Sequence, residues 1–203
     1  MPIGPGGLDS NGIWQFGEDD SEALASDLLN LGMASISTEV GLLDAAVAAI
    51  VTGQILQVVS VTKTDTFSTS STSVVDVTDL TATITPSATS SKIIVTASIP
   101  FGHSASDNSI LMFRDASNNN LLNPDSPSSR SASFFAGAPR NTNTMVPASF
   151  TFQHSPSTTS AFTYKVSCKT SAGTFLVNRS GADTDNANLG RGVATIILME
   201  LAG

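Results

Sequence analysis

The first quarter of the chain carries apolar residues at helical spacing. Within residues 22–31, three of the leucines lie four and three residues apart, and acidic residues precede them, as the positive N-terminal end of a helix favours. This pattern predicts a first helix that Asp20 or Ser21 caps and that Gly32 closes. A second helix is predicted to follow and to end at Gly53, and its apolar residues step by four, three, four and three. This second stripe consists of Ile36, Val40, Leu43, Val47 and Ile50.

The second stripe has the spacing of a heptad seam. Its two valines take position a, and its isoleucines and leucine take position d, a combination that favours three-stranded over two-stranded coiled coils. Two heptads are too short to be stable alone, so the flanking parts of the chain must associate as well. The alternative is an amphipathic helix that packs on its own domain. We predict a short helical oligomerisation stalk over residues 34–53 and a homotrimer.

From Ile55 onward the apolar period changes to two, which predicts β-strands. About eleven short strands and no convincing helix predict a mainly β protein, in which an antiparallel β-sandwich or jelly-roll-like head over residues 54–203 follows the N-terminal short helices. The nearly continuous apolar run from Val193 to Leu201 is expected to form a central strand that is buried on both faces. The predicted strands lie near residues 55–61, 64–69, 73–78, 81–85, 92–101, 109–115, 130–136, 145–153, 161–169, 173–178 and 192–201.

Charge divides the chain into an acidic leader and a neutral body. The net charge is −8, and no Lys or Arg precedes Lys63, whereas eight acidic residues do. Phosphate binding needs clustered basic residues, so no nucleic-acid partner is expected. We predict that residues 1–33 are an N-terminal anchor segment, although the tryptophan in it can alternatively fold back on its own helix. The predicted anchor residues are Ile13, Trp14, Phe16, Glu18, Asp19 and Asp20.

Composition favours a folded β-structure whose polar positions are hydroxyls rather than ions. Hydrophobic residues make up 40% of the chain and charged residues 13%. The single cysteine, Cys168, lies in an alternating apolar run and is expected to be buried. No basic segment followed by an apolar core marks a signal peptide, and no run of about 18 apolar residues is present, so neither secretion nor membrane insertion is expected.

Residue patterns of catalysis and metal binding are missing. His103 and His154 have no partner at metal-ligand spacing, so zinc is not expected. The polar run from Asp183 to Gly190 lacks the glycine and the closing acid of a calcium loop. The segment 102–106 lacks the second glycine of a nucleophile elbow. The sequence therefore predicts a protein that is not an enzyme and that uses no cofactor or metal.

Three long polar loops are candidates for contact with an external partner: residues 102–109, 116–130 and 179–191. They are rich in Asn, Asp and Ser, which hydrogen-bond sugar hydroxyls, and loops on a rigid scaffold often carry binding sites. An equally weighted alternative is that they are inert solvated loops. The candidate residues are His103, Asp107, Asn118, Asn119, Asn120, Asp125, Arg130, Asp183, Asp185 and Asn188.

Residues 55–102 and 152–201 resemble the C-terminal domains of tail-fibre and other structural proteins of bacteriophages. The leader GIWQFGEDDSEALASDLLNLG resembles the N-terminal part of phage minor tail proteins. The motifs that carry the first resemblance are Thr85-Pro86-Ser87 with Ser91-Lys92-Ile93, Ser157-Thr158-Thr159-Ser160 with Tyr164-Lys165, Val177-Asn178-Arg179-Ser180, and Arg191-Gly192 before Thr195-Ile196-Ile197-Leu198-Met199-Glu200.

This resemblance implies placement in the virion and oligomerisation, and it supplies no catalytic residues. The expected function is that of a homotrimeric tail-fibre-like or receptor-binding subunit, attached to the particle through its N-terminus. The alternative is a capsid decoration or head-fibre protein. Either protein is expected on the surface of the phage particle after assembly in the host cytoplasm, and a host cell-surface glycan is the candidate external partner.

Overall fold

The computed structural model describes residues 7–8, 14–15, 18–51, 53–105, 107–122, 124–125 and 128–203. The chain divides into two compact units, Met1–Val51 and Thr52–Gly203. In the first unit, side chains are described for residues 29–47. No helix in the described part of the chain is long and apolar enough to cross a membrane.

In its described residues, the first unit has a small strand pair and one long helix. Strands β1 (Gly7–Leu8) and β2 (Trp14–Gln15) pair antiparallel. Helix α1 (Glu18–Val51) has 34 residues, which corresponds to a length of about 51 Å. It replaces the two short helices that the sequence predicted.

Gly32 lies inside helix α1, so the prediction that it closes a helix is wrong. One interior glycine costs only about 1 kcal/mol relative to alanine, and helix-forming residues flank it on both sides. Gly53 follows the last helical residue, Val51, by two positions and has a φ of +77°, as glycines after helix ends commonly do. The predicted helix end at Gly53 is therefore confirmed.

The second unit contains ten strands in two antiparallel sheets. One sheet has the order β3-β12-β6-β11-β4, with β9 paired to β6, and the other has the order β5-β10-β7-β8. A mainly β, sandwich-like head of antiparallel strands is thereby confirmed. In chain order the strands are β3 (Ile55–Lys63), β4 (Phe67–Thr69), β5 (Val75–Ile84), β6 (Lys92–His103), β7 (Ser109–Arg114), β8 (Phe135–Gly137), β9 (Val146–His154), β10 (Phe162–Thr170), β11 (Phe175–Val177) and β12 (Ala194–Leu201).

Three predicted strands differ from those observed. The predicted strands at 73–78 and 81–85 form one strand, β5, that bulges around Asp79, whose φ is +59°. At the bulge, the register between β5 and β10 shifts between Lys165 and Ser167 of β10. The two strands pair on both sides of this shift. The predicted strand at 130–136 is reduced to β8, residues 135–137.

The core lies between the inner faces of the two sheets, and side chains enter it at every second position. In β12 the residues Ala194, Ile196, Leu198 and Glu200 are buried, whereas the alternate residues are half-buried. The strand is central, as predicted, but only one of its faces is fully buried. Cys168 is buried, and this burial, with a contribution from Asp76, raises the pKa of its thiol to about 12.

The beginning and the end of this unit are joined by backbone hydrogen bonds. The N–H of Gly53 donates to the carbonyl of Ala202 at 2.7 Å, and the N–H of Ala202 donates to the carbonyl of Gln54 at 2.9 Å. We call this the root end of the sandwich, where β6 also begins at Lys92. The far end is where β6 finishes at His103, and the connections β6–β7, β8–β9, β10–β11 and β11–β12 lie there.

Candidate functional site

Every side chain of helix α1 that the structure describes, over residues 29–47, is exposed. Four of the five predicted seam residues are among them, and Ile50 lies outside the described side chains. The large apolar side chains and their exposed fractions are Leu29 66%, Leu31 68%, Met33 67%, Ile36 63%, Val40 50%, Leu42 66%, Leu43 64% and Val47 57%.

Continuity of the helix through Gly32 lengthens the seam. Residues Leu29 and Met33 lie seven positions before Ile36 and Val40, so they occupy the d and a positions of a preceding heptad. The stripe at this spacing runs from residue 29 to residue 50 and covers three heptads instead of two. Side chains at these spacings share one helix face.

The predicted anchor falls largely outside the described residues. Ile13 and Phe16 are not described, and Trp14 is described only as a backbone partner of Leu8 in the β1–β2 pair. The backbone of residues 18–20 forms the first turn of α1. Three acidic residues there stabilise the helix through its dipole. Their attachment to a particle stays a prediction.

Two of the three candidate loops meet at the far end. A Cβ atom at Gly181 would collide with the carbonyl of His103, and one at Gly102 would collide with the carbonyl of Arg179. The connection that contains residues 179–191 therefore packs directly on the end of β6. The sequence showed these glycines only as loop residues, and nothing in the pattern marked them as contact points.

His103 is fully buried, which corrects its assignment to the receptor-contacting surface. Its Nδ1 accepts hydrogen bonds from the backbone N–H groups of Ala105 at 3.0 Å and Asp107 at 3.3 Å. Nε2 therefore carries the hydrogen and donates it to Oγ1 of Thr170 at 2.8 Å. Burial lowers the pKa of the ring, and the nearby Asp107 carboxylate opposes this only in part. The ring holds the far-end loops in place.

The third loop, 116–130, connects β7 to β8 and uses its asparagines for its own structure. Oδ1 of Asn118 accepts a hydrogen bond from Nζ of Lys165 at 2.6 Å. The backbone N–H and Nδ2 of Asn119 donate to the carboxylate of Asp115, each at 2.8 Å. Nδ2 of Asn120 donates to a backbone carbonyl at 2.7 Å. Asp125 and Arg130 are exposed.

A polar cavity of about 360 Å³ opens in the β11–β12 connection. Asp183 lies between two guanidinium groups, at 2.6 Å from Nη1 of Arg179 and 2.6 Å from Nη2 of Arg191. The candidate residues Asp185 and Asn188 are exposed in the same connection. The cavity lining offers hydroxyl, amide, carboxylate and guanidinium groups. The lining residues are Ser180, Asp183, Thr184, Asp185, Asn186, Leu189, Gly190 and Arg191.

Two charged clusters that the sequence did not reveal stabilise the head. On the outer face of the four-stranded sheet, the carboxylate of Asp76 accepts hydrogen bonds from Arg114, Lys165 and Ser167. Burial alone would raise the pKa of Asp76, but these bonds outweigh it and lower the pKa to about 2. The second cluster surrounds Glu200, whose only sequence signal is an acid at an inward position of an apolar strand. Within the described residues, no group of three or more His, Cys, Asp or Glu side chains is placed to hold a metal ion.

No protein-family model matches the chain, and no curated protein matches it in sequence. Solved structures with which it aligns include a mutant of the VP2 protein of infectious bursal disease virus in derived T=1 particles, at 14% identity over 72% of this chain and 40% of that chain, with a TM-score of 0.37. Tailspike protein 4 of bacteriophage CBA120, in its enzymatically active domain, aligns at 12% identity over 70% of this chain and 19% of its own, with a TM-score of 0.29.

A carbohydrate-binding module of Cellvibrio mixtus lichenase 5A aligns at 15% identity over 76% of this chain and 94% of its own, with a TM-score of 0.28. The chain spans about two fifths of the length of the VP2 chains that it matches. Viral structural proteins are thus among the structures similar to this chain, and the comparisons assign it to no family.

Proposed function

We propose that the chain is a structural subunit of a bacteriophage particle, a tail-fibre-like protein that trimerises through helix α1 and presents its β-sandwich to the outside. One observation carries this proposal: a three-heptad apolar seam on a helix whose described side chains are all exposed. Such a surface is typical of a coiled coil seen without its partner strands.

The energetic reason for association is apolar burial. Full burial of a Val, Leu, Ile or Met side chain contributes about 1.5–3 kcal/mol. Since Ile36, Val40, Leu43 and Val47 are each 50–64% exposed, covering them contributes on the order of 1 kcal/mol per side chain and copy. Isoleucine at the d positions 36 and 50, beside valine at a, shifts the preference towards three strands, whereas leucine at the d positions 29 and 43 favours two.

Charge contributes little to this association. The chain has no Lys or Arg before Lys63, so ion pairs between the flanking positions of neighbouring helices are not available. Glu39 and Asp44 flank the seam and repel their symmetry mates weakly. The assembly is therefore expected to persist, or to strengthen, when salt is raised.

The far end of the head is the surface for host contact in this proposal. It lies opposite the root end, where the chain arrives from the helix, and it holds the polar cavity beside Asp183. Hydroxyl, amide and carboxylate groups in a cavity of this size suit the hydroxyl groups of a cell-surface glycan. The leader, residues 1–33, remains the proposed attachment to other virion proteins.

The test uses two double variants of the full chain. Val40→Asp with Val47→Asp places charges in the seam, and Thr38→Asp with Ala45→Asp places the same charges seven residues apart on the opposite face. Sedimentation equilibrium at micromolar concentration should show a trimer for the wild type and the control, and dissociation for the seam variant. A monomeric wild type, or equal effects of the two variants, would overturn the proposal.

Placement in the particle is tested by imaging. Gold-labelled antibody against the chain should decorate the tail of purified particles. Decoration of the capsid would favour the alternative, a capsid decoration or head-fibre protein with the same trimeric stalk. A chain that is missing from purified particles would overturn both versions.

A further inference from the structure

The first strand after the helix is an edge strand with unusual exposure of apolar side chains. Strand β3 pairs only with β12, so its other edge has no strand partner in the described chain. Ile55 is 57% exposed, Leu56 46% and Val58 57%. No charged residue occurs in β3 until its last residue, Lys63, which is buried.

These side chains continue into an apolar patch on the outer face of the six-stranded sheet. The register places Val58 beside Met199 and Met199 beside Ile94, in a row across three strands. The neighbouring residues Ile197 and Leu201 are half-buried on the same face. We call this surface the root patch, because it lies at the root end of the sandwich. It consists of Ile55, Leu56, Val58, Ile94, Ile197, Met199 and Leu201.

The other half of the same sheet face is polar. A row of hydroxyl side chains crosses this half and consists of Thr62, Thr195, Ser98 and Ser149. In the next row, hydroxyl groups on β6 and β9 are 3.1 Å apart and hydrogen-bonded. The row of hydroxyl side chains from Thr62 to Ser149 therefore separates the root patch, which lies at the start of β3, from the far end.

A free apolar strand edge of this kind makes a single subunit prone to unspecific association. Natural proteins protect edge strands with charges, prolines or a covering element, because open edges promote association. The three most exposed side chains present on the order of 300 Å² of apolar surface, comparable to the largest apolar patch of a typical monomer, which is often functional. Neither a charge nor a proline protects residues 55–62.

We propose that the root patch is a second subunit interface, buried against another copy of this chain, so that the heads as well as the stalk assemble around the threefold axis. This inference rests on the proposed trimer. Only residues 52–54 separate Val51 from Ile55, a reach of at most about 14 Å, so three helices packed on one axis bring three root patches close to that axis. The seven patch residues carry no charge, and Lys92, which borders them beside Leu201, donates a hydrogen bond from its ammonium to the hydroxyl of Ser155 at 3.0 Å.

The two interfaces then support each other. The area that each subunit buries in the trimer is the sum of the areas buried at the seam and at the root patch. A stable interface generally buries about 800 Å² per partner. The exposed side chains of the root patch, on the order of 300 Å², fall short of that area alone. Loss of either interface should therefore weaken the trimer measurably.

The first test compares Val58→Glu with Thr62→Glu in the full chain. Both residues are exposed on the same face of β3, but Val58 lies in the root patch and Thr62 in the polar half. We expect Val58→Glu to raise the concentration at which the trimer dissociates at least tenfold, and Thr62→Glu to leave it unchanged. Urea unfolding of each variant, followed by circular dichroism, verifies that both heads are folded.

The second test uses cysteine labelling, because the natural Cys168 is buried and does not compete. Val58→Cys should react with a maleimide more slowly than Thr62→Cys in the trimer, and should lose this protection after dilution to monomers. Three outcomes separate the two proposals. A trimer that Val58→Glu leaves intact, or protection of Val58→Cys that persists in monomers, overturns the root-patch interface alone. A monomeric wild type overturns the trimer and the interface together.

Discussion

Replacement of Glu200 by glutamine isolates the contribution of a buried carboxylate that joins β12 to the β5–β6 connection. The residue is fully buried on the inner face of β12. Oε1 accepts hydrogen bonds from the backbone N–H and the hydroxyl of Ser87, both at 2.6 Å, and from the hydroxyl of Ser91 at 2.7 Å. Oε2 accepts one from Nε2 of Gln57 at 2.6 Å. Four donors thus converge on one negative charge.

The pKa of Glu200 gives the magnitude. Burial alone would raise it, but the hydrogen bonds from Ser87, Gln57 and Ser91 outweigh burial and lower the pKa from 4.5 to about 2. One pKa unit corresponds to about 1.4 kcal/mol, so the ionised form stabilises the fold by about 3 kcal/mol. Glutamine keeps one acceptor oxygen but places an amide N–H₂ group against a donor. We expect Glu200→Gln to lose about 2–3 kcal/mol of unfolding free energy at pH 7.

The same pKa sets the pH dependence. A carboxylate whose pKa is lowered by folding stabilises the protein fully above its unfolded value, 4.5, and loses this effect as the pH falls towards 2. The difference between the wild type and Glu200→Gln should therefore be constant from pH 7 to about pH 5 and shrink below it. In the wild type, the unfolding free energy itself should fall over this acidic range.

Urea unfolding at several pH values measures these quantities, because urea does not screen charge. Circular dichroism of the β-structure reports on the head, and Tyr164, the single tyrosine, provides a fluorescence signal from its core. Asp125→Asn is the matched control, since it removes one exposed acidic charge from the head. A loss below about 0.5 kcal/mol at pH 7, or a difference that does not shrink in acid, would refute this account of Glu200.

Two further predictions concern the far end. Gly181→Ala should displace the β11–β12 connection from β6, because the added methyl group meets the carbonyl of His103; limited proteolysis should cleave that connection faster than in the wild type, and an unchanged rate would contradict the packing. Since burial lowers the pKa of His103 below 6.5, only the unfolded chain gains its proton at mildly acidic pH, and the unfolding free energy should fall as the pH drops below 6.5. His103→Gln should flatten this dependence, leaving the part that comes from His154, whose pKa burial also lowers; an unchanged slope would exclude His103 as a source.

Local patterns in the sequence predicted the elements and their faces. The change of the apolar period from about 3.6 to two after Gly53 separated the helical part from the antiparallel β-part, because each period reflects which side chains share a face. The alternation around Cys168 predicted its burial, and the seam spacing selected helix residues that the structure leaves exposed. Each of these properties depends on residues that are close together in the chain, so it can be predicted from a single sequence.

Tertiary structure decided what depends on distant residues. Gly32 costs a helix about 1 kcal/mol locally, and the helical residues on both sides of it outweigh that cost. Asp79 does not end its strand, because β5 pairs with β10 on both sides of the bulge. The partners of Glu200 lie more than a hundred positions away, at Ser87, Ser91 and Gln57. Periodicity places a side chain on a face, but it contains no information on which strand will lie beside it.

The candidate site shows the same division. The sequence selected the polar loops by composition, yet packing turned His103 inward and made Asn118 a partner of Lys165. Gly102 and Gly181 have no Cβ atom, so each can lie against a carbonyl group of the other loop. This close packing brings the two loops together at the far end. The root patch arises from strands whose residues, Val58, Ile94 and Met199, are far apart in the chain. The sequence by itself therefore determined the elements and their apolar faces, and only the register between strands decided which of those faces join into a surface.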